Sequence, residues 1–473
     1  MLVLQKLNSK SVFALIAAWI ALVVLTLVLD ASYVLMITLM LWVFVLIYSC
    51  QDISDNIALF CFLISFYVFL LGREVAFNFF GLERYYLYLV PYNNIAFGCL
   101  QLSLVGILIG DTLWRNVHKS NTNRTFPISN YSSDMQKVSR NVFYFCYLFQ
   151  VAAVVLTARY VSDVGYLASY TNAFSGPGVP SIVSYIAGFS TVAFCLYLST
   201  QPDMKDARIP MALYELYGLL TLLTGQRFPF IAVNMLLLIY IIIRYRSDKR
   251  WFSKRIGIAL IIIIPILMIL LSVIGSIRLN QTFNVSSVFN ALLVFFDSQG
   301  GSINNINRVL HFKDQLTDLH FTSFESTRAV LTENIIMRNL FDVKVYEGNS
   351  YEHAIFGHSL SHRLSYLTYY DGYLQGMGVG SCYIAELLHD FKYAGVLIGN
   401  IIYGYLLRAI SQINFSYFIR DGLLLAIVFY LILAPRGGFD SFVGGVFSLY
   451  SLLGILVMYL VAKSLNKKHV SKV

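Results

Sequence analysis

Apolar residues in this chain come in long unbroken blocks separated by short polar stretches. The blocks fall at 11–29, 31–49, 56–72, 95–113, 141–160, 181–200, 209–224, 228–243, 256–274, 393–410, 421–435 and 441–461. Bilayer hydrocarbon is about 30 Å thick, and about 20 apolar residues of helix cross it. Each block therefore predicts a membrane-spanning helix. A closed β-barrel is the only other way to satisfy the backbone in lipid, and it needs short alternating strands. Continuous runs such as Ile256–Ile274 exclude it. The predicted fold class is all-α, a polytopic transmembrane helical bundle of about 12 spans. Two of these spans are split only by Gly225, Gln226 and Arg227, with Pro229 just beyond. That is a tight hairpin at one membrane face, or else one long broken helix.

One polar segment, 275–392, carries no convincing span and is rich in His, Asn, Arg and Tyr. A connection of that length is functional or a small domain. The predicted organisation is thus an N-terminal membrane bundle (1–274, about nine spans), one large extracytoplasmic loop (275–392), and C-terminal spans with a basic tail (393–473).

Composition supports the same picture. Only 12% of residues are charged and 58% are apolar, with a mean hydropathy of +0.68. Soluble domains carry roughly 25% charged residues. The net charge of +9 is mostly a sidedness signal, because 21 of the 34 Lys and Arg fall in segments that twelve spans place on one face. Basic loops stay in the cytoplasm, so both termini are expected there. Contact with anionic inner-leaflet lipid accounts for these charges better than nucleic-acid binding. The six cysteines show no CxxC pair or zinc spacing and read as small core residues. No metal site and no cofactor are expected.

The residues that break the charge rule carry the chemistry. Arg227 in TGQRFPF, Arg278 in GSIRLN and Arg436 in APRGGFDSF all map to outer ends of spans. Cations at such boundaries raise a functional hypothesis, and guanidinium forks match phosphate oxygens. A snorkelling arginine, or an ion pair such as Arg436 with Asp440, explains any one of them. Three on one face favour an anion site. In GHSLSHRLSY, a helix would put His358 and His362 on one face, four residues apart. HxxxH lacks the acidic member of a zinc motif, so the imidazoles are candidates for a general base. Satisfied loop histidines are the plain alternative. The run GMGVGSCYIAELLHDF places Gly376, Gly378 and Gly380 ahead of Ser381. Without a strand before it, this is no dinucleotide fingerprint. A glycine turn entering a helix at Ser381 fits, with amides facing an anion. Glu386 follows as a second base candidate, or as an arginine's partner.

These runs, in this order, resemble the Wzy family of O-antigen and capsular repeat-unit polymerases: TGQRFPF, GHSLSHRLSY, the glycine turn through HDF with Gly395, and PRGGFDSF. The resemblance covers the second half of the chain, and the first half matches only as generic spans. It implies a glycosyltransferase-C-like, metal-independent membrane enzyme of the bacterial plasma membrane. Such an enzyme moves a growing glycan from undecaprenyl diphosphate to the next lipid-linked repeat unit on the outer face. The product is O-antigen, capsule or exopolysaccharide. Arg227, Arg278, Arg436 and Arg363 are then expected on the diphosphate, and His358, His362 and Glu386 near the reacting hydroxyl. Gln226, Gly378, Gly380, Ser381 and Asp440 are expected to shape the substrate site. A chain-length regulator and a flippase of the same pathway are the implied protein partners. Cys382 departs from the pattern, where serine is expected. A flippase and a glycan ligase using the same donor are the competing readings. The scarcity of ionisable residues deep in the spans disfavours a transporter.

Overall fold

The computed structural model describes residues 30–118, 133–171, 179–253 and 288–470, with short helical stretches between 257 and 273. Every regular element among them is helical. The main helices are α1 (Ala31–Cys50), α2 (Ile57–Phe80), α3 (Asn93–Val117), α4 (Ser133–Val164), α5 (Ser181–Ser199), α6 (Met204–Thr221) and α7 (Phe228–Ser247). Next come α8 (Val288–Gln299), α9 (Ile303–His311), α10 (Glu325–Thr332), α11 (Ile335–Phe341), α12 (Tyr351–Phe356), α13 (Leu360–Thr368) and α14 (Tyr370–Leu374). The chain ends with α15 (Tyr383–Ser411), α16 (Phe418–Leu431), α17 (Ser441–Val446) and α18 (Leu449–Val470).

Among the described residues, seven helices are long and apolar enough to cross a membrane. They coincide with predicted spans. The predicted spans at 209–224 and 421–435 are α6 and α16, both helical but more polar or shorter. The predicted span at 441–461 is divided between α17 and α18. The span at 11–29 and about half of 256–274 lie outside the described residues.

The centre of the bundle is α3 against α15. A GxxxG seam, Gly106 to Gly110, lets the backbones touch. A Cβ on Gly110 would fall 2.0 Å from the Ile401 carbonyl oxygen, and one on Gly404 would fall 2.1 Å from that of Ile107. Small residues permit such approach where lipid offers no hydrophobic drive between helices. A buried polar latch fixes the register: Tyr383 Oη donates to Asn400 Oδ1 (2.7 Å), and Asn400 Nδ2 donates to Ser103 Oγ (3.1 Å). At one end of this pair, Tyr48 and Arg115 both bond Asp111, and Arg408 bonds Asn56. At the other end stands Glu386, and there the helices of 288–374 pack on the bundle.

Two irregularities mark the Glu386 end. A π-helical turn, Tyr67–Leu71, interrupts α2, a feature often found at functional sites. In α15, Lys392 has φ 55° and ψ −149°, which divides the helix into 383–391 and 393–411. Such a backbone costs on the order of 1–3 kcal/mol in a residue other than glycine, so the surrounding contacts hold it.

Candidate functional site

Three sequence-distant segments meet at the start of α15. The chain enters through Gly376 and Gly380, at φ 96° and 70°, which L side chains rarely adopt. Cys382, buried, is the N-cap of α15. One turn in, Glu386 is 2% exposed. Its Oε1 accepts from Ser381 Oγ (2.5 Å) and its Oε2 from Phe439 N (2.7 Å). A Cβ on Gly438 would fall 3.2 Å from Oε1 of the same carboxylate. The glycine-turn motif is thereby tied to the PRGGFDSF motif.

The third segment is 322–332. Asp440 accepts from Ser326 N (3.1 Å) and Thr327 N (2.6 Å), capping α10 from across the chain. Asp390 accepts from Ser323 N (2.7 Å) and Ser323 Oγ (2.6 Å). Both carboxylates satisfy amides that a helix start leaves without partners. They also position Glu325, the first residue of α10. Its carboxyl lines a cavity of about 230 Å³ with Arg328, Lys344, His353 and His358. Burial, with the like charge of Asp440, raises it to about 7 despite a hydrogen bond from Ser359.

The histidines do not share a helical face. His358 precedes α13 with φ 53° and is exposed at the cavity. Burial, then Arg328, holds it below the usual imidazole range. His362 is inside α13, stacked on His353 at 3.7 Å, with Nδ1 2.8 Å from Tyr373 Oη. Burial and His353 push it down to about 3, so it is neutral at physiological pH. Arg363 is 5% exposed and fully engaged. It grips Asp318 with both terminal nitrogens (3.0 and 2.9 Å) and donates to the carbonyls of Ala354 and Ile355. In this conformation it ties α12 and α13 to the segment after α9.

The arginines separate. Arg436 follows α16, is exposed, donates to Gln299 Oε1 (2.7 Å) and lies over the Phe69 ring at 5.6 Å. Phe69 belongs to the π turn of α2. Arg73, one turn further along α2, bonds Asp297 (2.8 Å), and its Cβ lies where a side chain on Gly300 would go. The end of α8 thus carries two guanidinium groups around Gln299–Gly300–Gly301. Arg227 is the part-buried N-cap of α7, whose Phe230 packs with Phe295 one turn before Gln299. Gln226 precedes it, its amide on Thr224 Oγ1 (3.4 Å). Gly378 faces Ser365, whose Oγ accepts from Val379 N. Arg278 lies outside the described residues.

The model of the O-antigen polysaccharide polymerase Wzy family matches residues 10–469, nearly the whole chain. The chain belongs to that family. Compared with curated proteins and with solved structures, it finds no significant match. As a Wzy-family member it is an integral membrane polymerase acting on lipid-linked oligosaccharide repeat units. Among the described residues, no group of three or more His, Cys, Asp or Glu is placed to hold a metal ion.

In this Wzy-family chain, sequence reasoning missed Arg73, Gln299 and Glu325. Arg73 was accessible to it, since it follows an apolar run at the face where the charge rule expects few cations. Gln299 and Glu325 sit in no motif. Only the packing of α8 and the Asp440 cap single them out.

Proposed function

We propose that this polymerase joins undecaprenyl-diphosphate-linked repeat units on the outer face of the bacterial plasma membrane, by inverting glycosyl transfer. The observation that carries this reading is the bonding of the Glu386 motif to the Arg436 motif through Phe439 N. It ties the segment that carries Arg436 to α15, and the Asp440 cap on α10 ties Glu325, which shares its cavity with His358, to the same segment.

The step breaks the bond between the anomeric carbon of the growing chain and its diphosphate. An acceptor hydroxyl attacks from the opposite side and gives its proton to a base. The diphosphate leaves with growing negative charge. Arg436, oriented by Gln299 and the Phe69 face, is aimed at that charge, with Arg73, Arg227 and Arg278 as further cations. Preorganised cations at developing charge are usually the largest catalytic contribution. Glu325, part-buried and lining the cavity, suits proton abstraction near neutral pH. Glu386, its oxygens engaged by Ser381 and Phe439, holds the two motifs in register. Gln226, Gly378, Gly380, Ser381 and Asp440 shape the walls. No metal takes part in this reading.

The test is polymerisation of purified lipid-linked repeat unit by the purified protein. Arg436→Ala is expected to cut the rate by about a hundredfold or more, with single repeats accumulating on the outer face. Activity is expected to survive chelators. Normal chain length in Arg436→Ala overturns the diphosphate assignment. Repeats stranded on the cytoplasmic side point to a flippase, and loss of activity to chelators that Mg²⁺ restores overturns metal independence.

A further inference from the structure

Polymerisation joins two lipid-linked molecules, so a second diphosphate has to be held while the first departs. This inference rests on the reading above. A cleft of about 750 Å³ lies between the end of α9 and the break in α15. Lys313, His320, His389 and Lys392 line it, together with Asp390. The carboxylate of Asp390 is occupied by Ser323 and Thr322. Lys313 and His320 are exposed, and Lys392 is exposed with its Nζ on the His389 carbonyl (3.1 Å). His389 Nε2 is 2.8 Å from the Leu319 carbonyl oxygen, which fixes that ring in the wall.

The remaining walls are apolar. Phe321 and Phe391 face each other at 6.3 Å and are 66% and 39% exposed. Below them an exposed stripe continues along α15 at helical spacing: Ala394, Ile398 and Ile402. Cations at the head of an uncovered apolar helix face match an anionic head on a long hydrocarbon tail. The distorted backbone of Lys392 sits at that junction. It interrupts α15 just where the polar wall gives way to the apolar stripe.

We propose that this cleft binds the polyprenyl diphosphate of the acceptor repeat unit, separately from the arginine site that takes the donor's leaving diphosphate. The choice of cation supports the division. A leaving diphosphate gains charge in the transition state and benefits from rigid, forked guanidinium groups. The acceptor's diphosphate does not change, so lysine point charges suffice, and their contribution is uniform binding. The short helix 383–391 lies between the two sites. It gives Glu386 to the Arg436 motif and Leu388–Phe391 to the cleft.

The test uses the full chain in phosphatidylcholine nanodiscs with undecaprenyl diphosphate as the probe. Wild type is expected to bind two probe molecules per chain. The Lys313→Gln, Lys392→Gln double variant is expected to bind one, and Arg436→Ala one. In polymerisation, the lysine double variant is expected to raise KM for the lipid-linked repeat about tenfold with kcat within about twofold, the pattern of lost uniform binding. Lys313→Arg with Lys392→Arg is expected to restore it. A single probe site lost in Arg436→Ala and kept in the lysine variant overturns the cleft and leaves the proposed function standing. No probe binding by wild type overturns both. Displacement of the lysine-dependent probe by equimolar phosphatidylglycerol overturns the acceptor assignment in favour of ordinary anionic lipid.

Discussion

Consider Glu325 titrated across the range where polymerisation is measured. Its carboxyl is raised from 4.5 to about 7, first by burial and then by the like charge of Asp440. A base acts only when deprotonated, so the active form falls about tenfold for each pH unit below 7. Between pH 8 and pH 5.5 the wild-type rate is expected to drop by about thirtyfold. The linked stability runs the other way. A carboxyl whose folded pKa lies above its unfolded value binds protons more tightly when folded. Its contribution to stability is therefore greatest below about 4.5 and is lost as pH rises through 7. Acid loss of activity through this group cannot then be acid unfolding through the same group. Glu325→Gln is expected to lose about a hundredfold or more in rate and to flatten the acid limb. The assay is initial rate of chain extension by purified protein from pH 5.5 to 8, with folding monitored by circular dichroism. A flat wild-type profile, or a Glu325→Gln variant with wild-type rate and profile, refutes the reasoning.

Asp440→Ala removes the acceptor of the Ser326 and Thr327 amides; about 1–2 kcal/mol of local stability should go with it, read as faster proteolysis within 322–332 alongside reduced polymerisation. Arg363→Ala breaks a buried guanidinium with carbonyl partners. The pair with Asp318 is partly solvated, since that carboxylate is 62% exposed, so the expected cost is about 1–3 kcal/mol. A lowered Tm in detergent would mark Arg363 as a tie within the segment, whereas an unchanged Tm with weakened diphosphate binding would return it to the substrate. Gly110→Val drives a side chain into the Ile401 carbonyl and is expected to abolish assembly of the bundle. Gly98→Val, with nothing within 4 Å of the added Cβ, is the tolerated control, and equal expression of the two would refute the seam.

The chemistry residues were legible to different degrees. Arg436 stood out because a cation beside helix breakers at a span end is costly without a task. Glu386 stood out because it opens an apolar helix just after a glycine turn. Arg363 was assigned to the diphosphate through the motif resemblance, yet the fold places it in a buried grip on Asp318 and two carbonyls. His358 and His362 looked equivalent at four-residue spacing. The helix starts after His358, which leaves it at the cavity and sends His362 into a stack with His353. Glu325 gave no signal, because its raised pKa comes from burial in the folded chain and from the charge of Asp440, far away in sequence.

What the amino-acid order alone determined is the membrane class, the helical fold and the positions of most spans. Those follow from local hydropathy, since a block of about 20 apolar residues has one low-energy state in a bilayer. The motifs of the family were legible for the same local reason. Tertiary structure alone decided which carboxylates cap which helix, which arginine meets Gln299, and that Lys313 and Lys392 share a cleft. These are contacts between residues separated by many tens of positions, and no local pattern encodes a partner that the chain reaches only after it has folded.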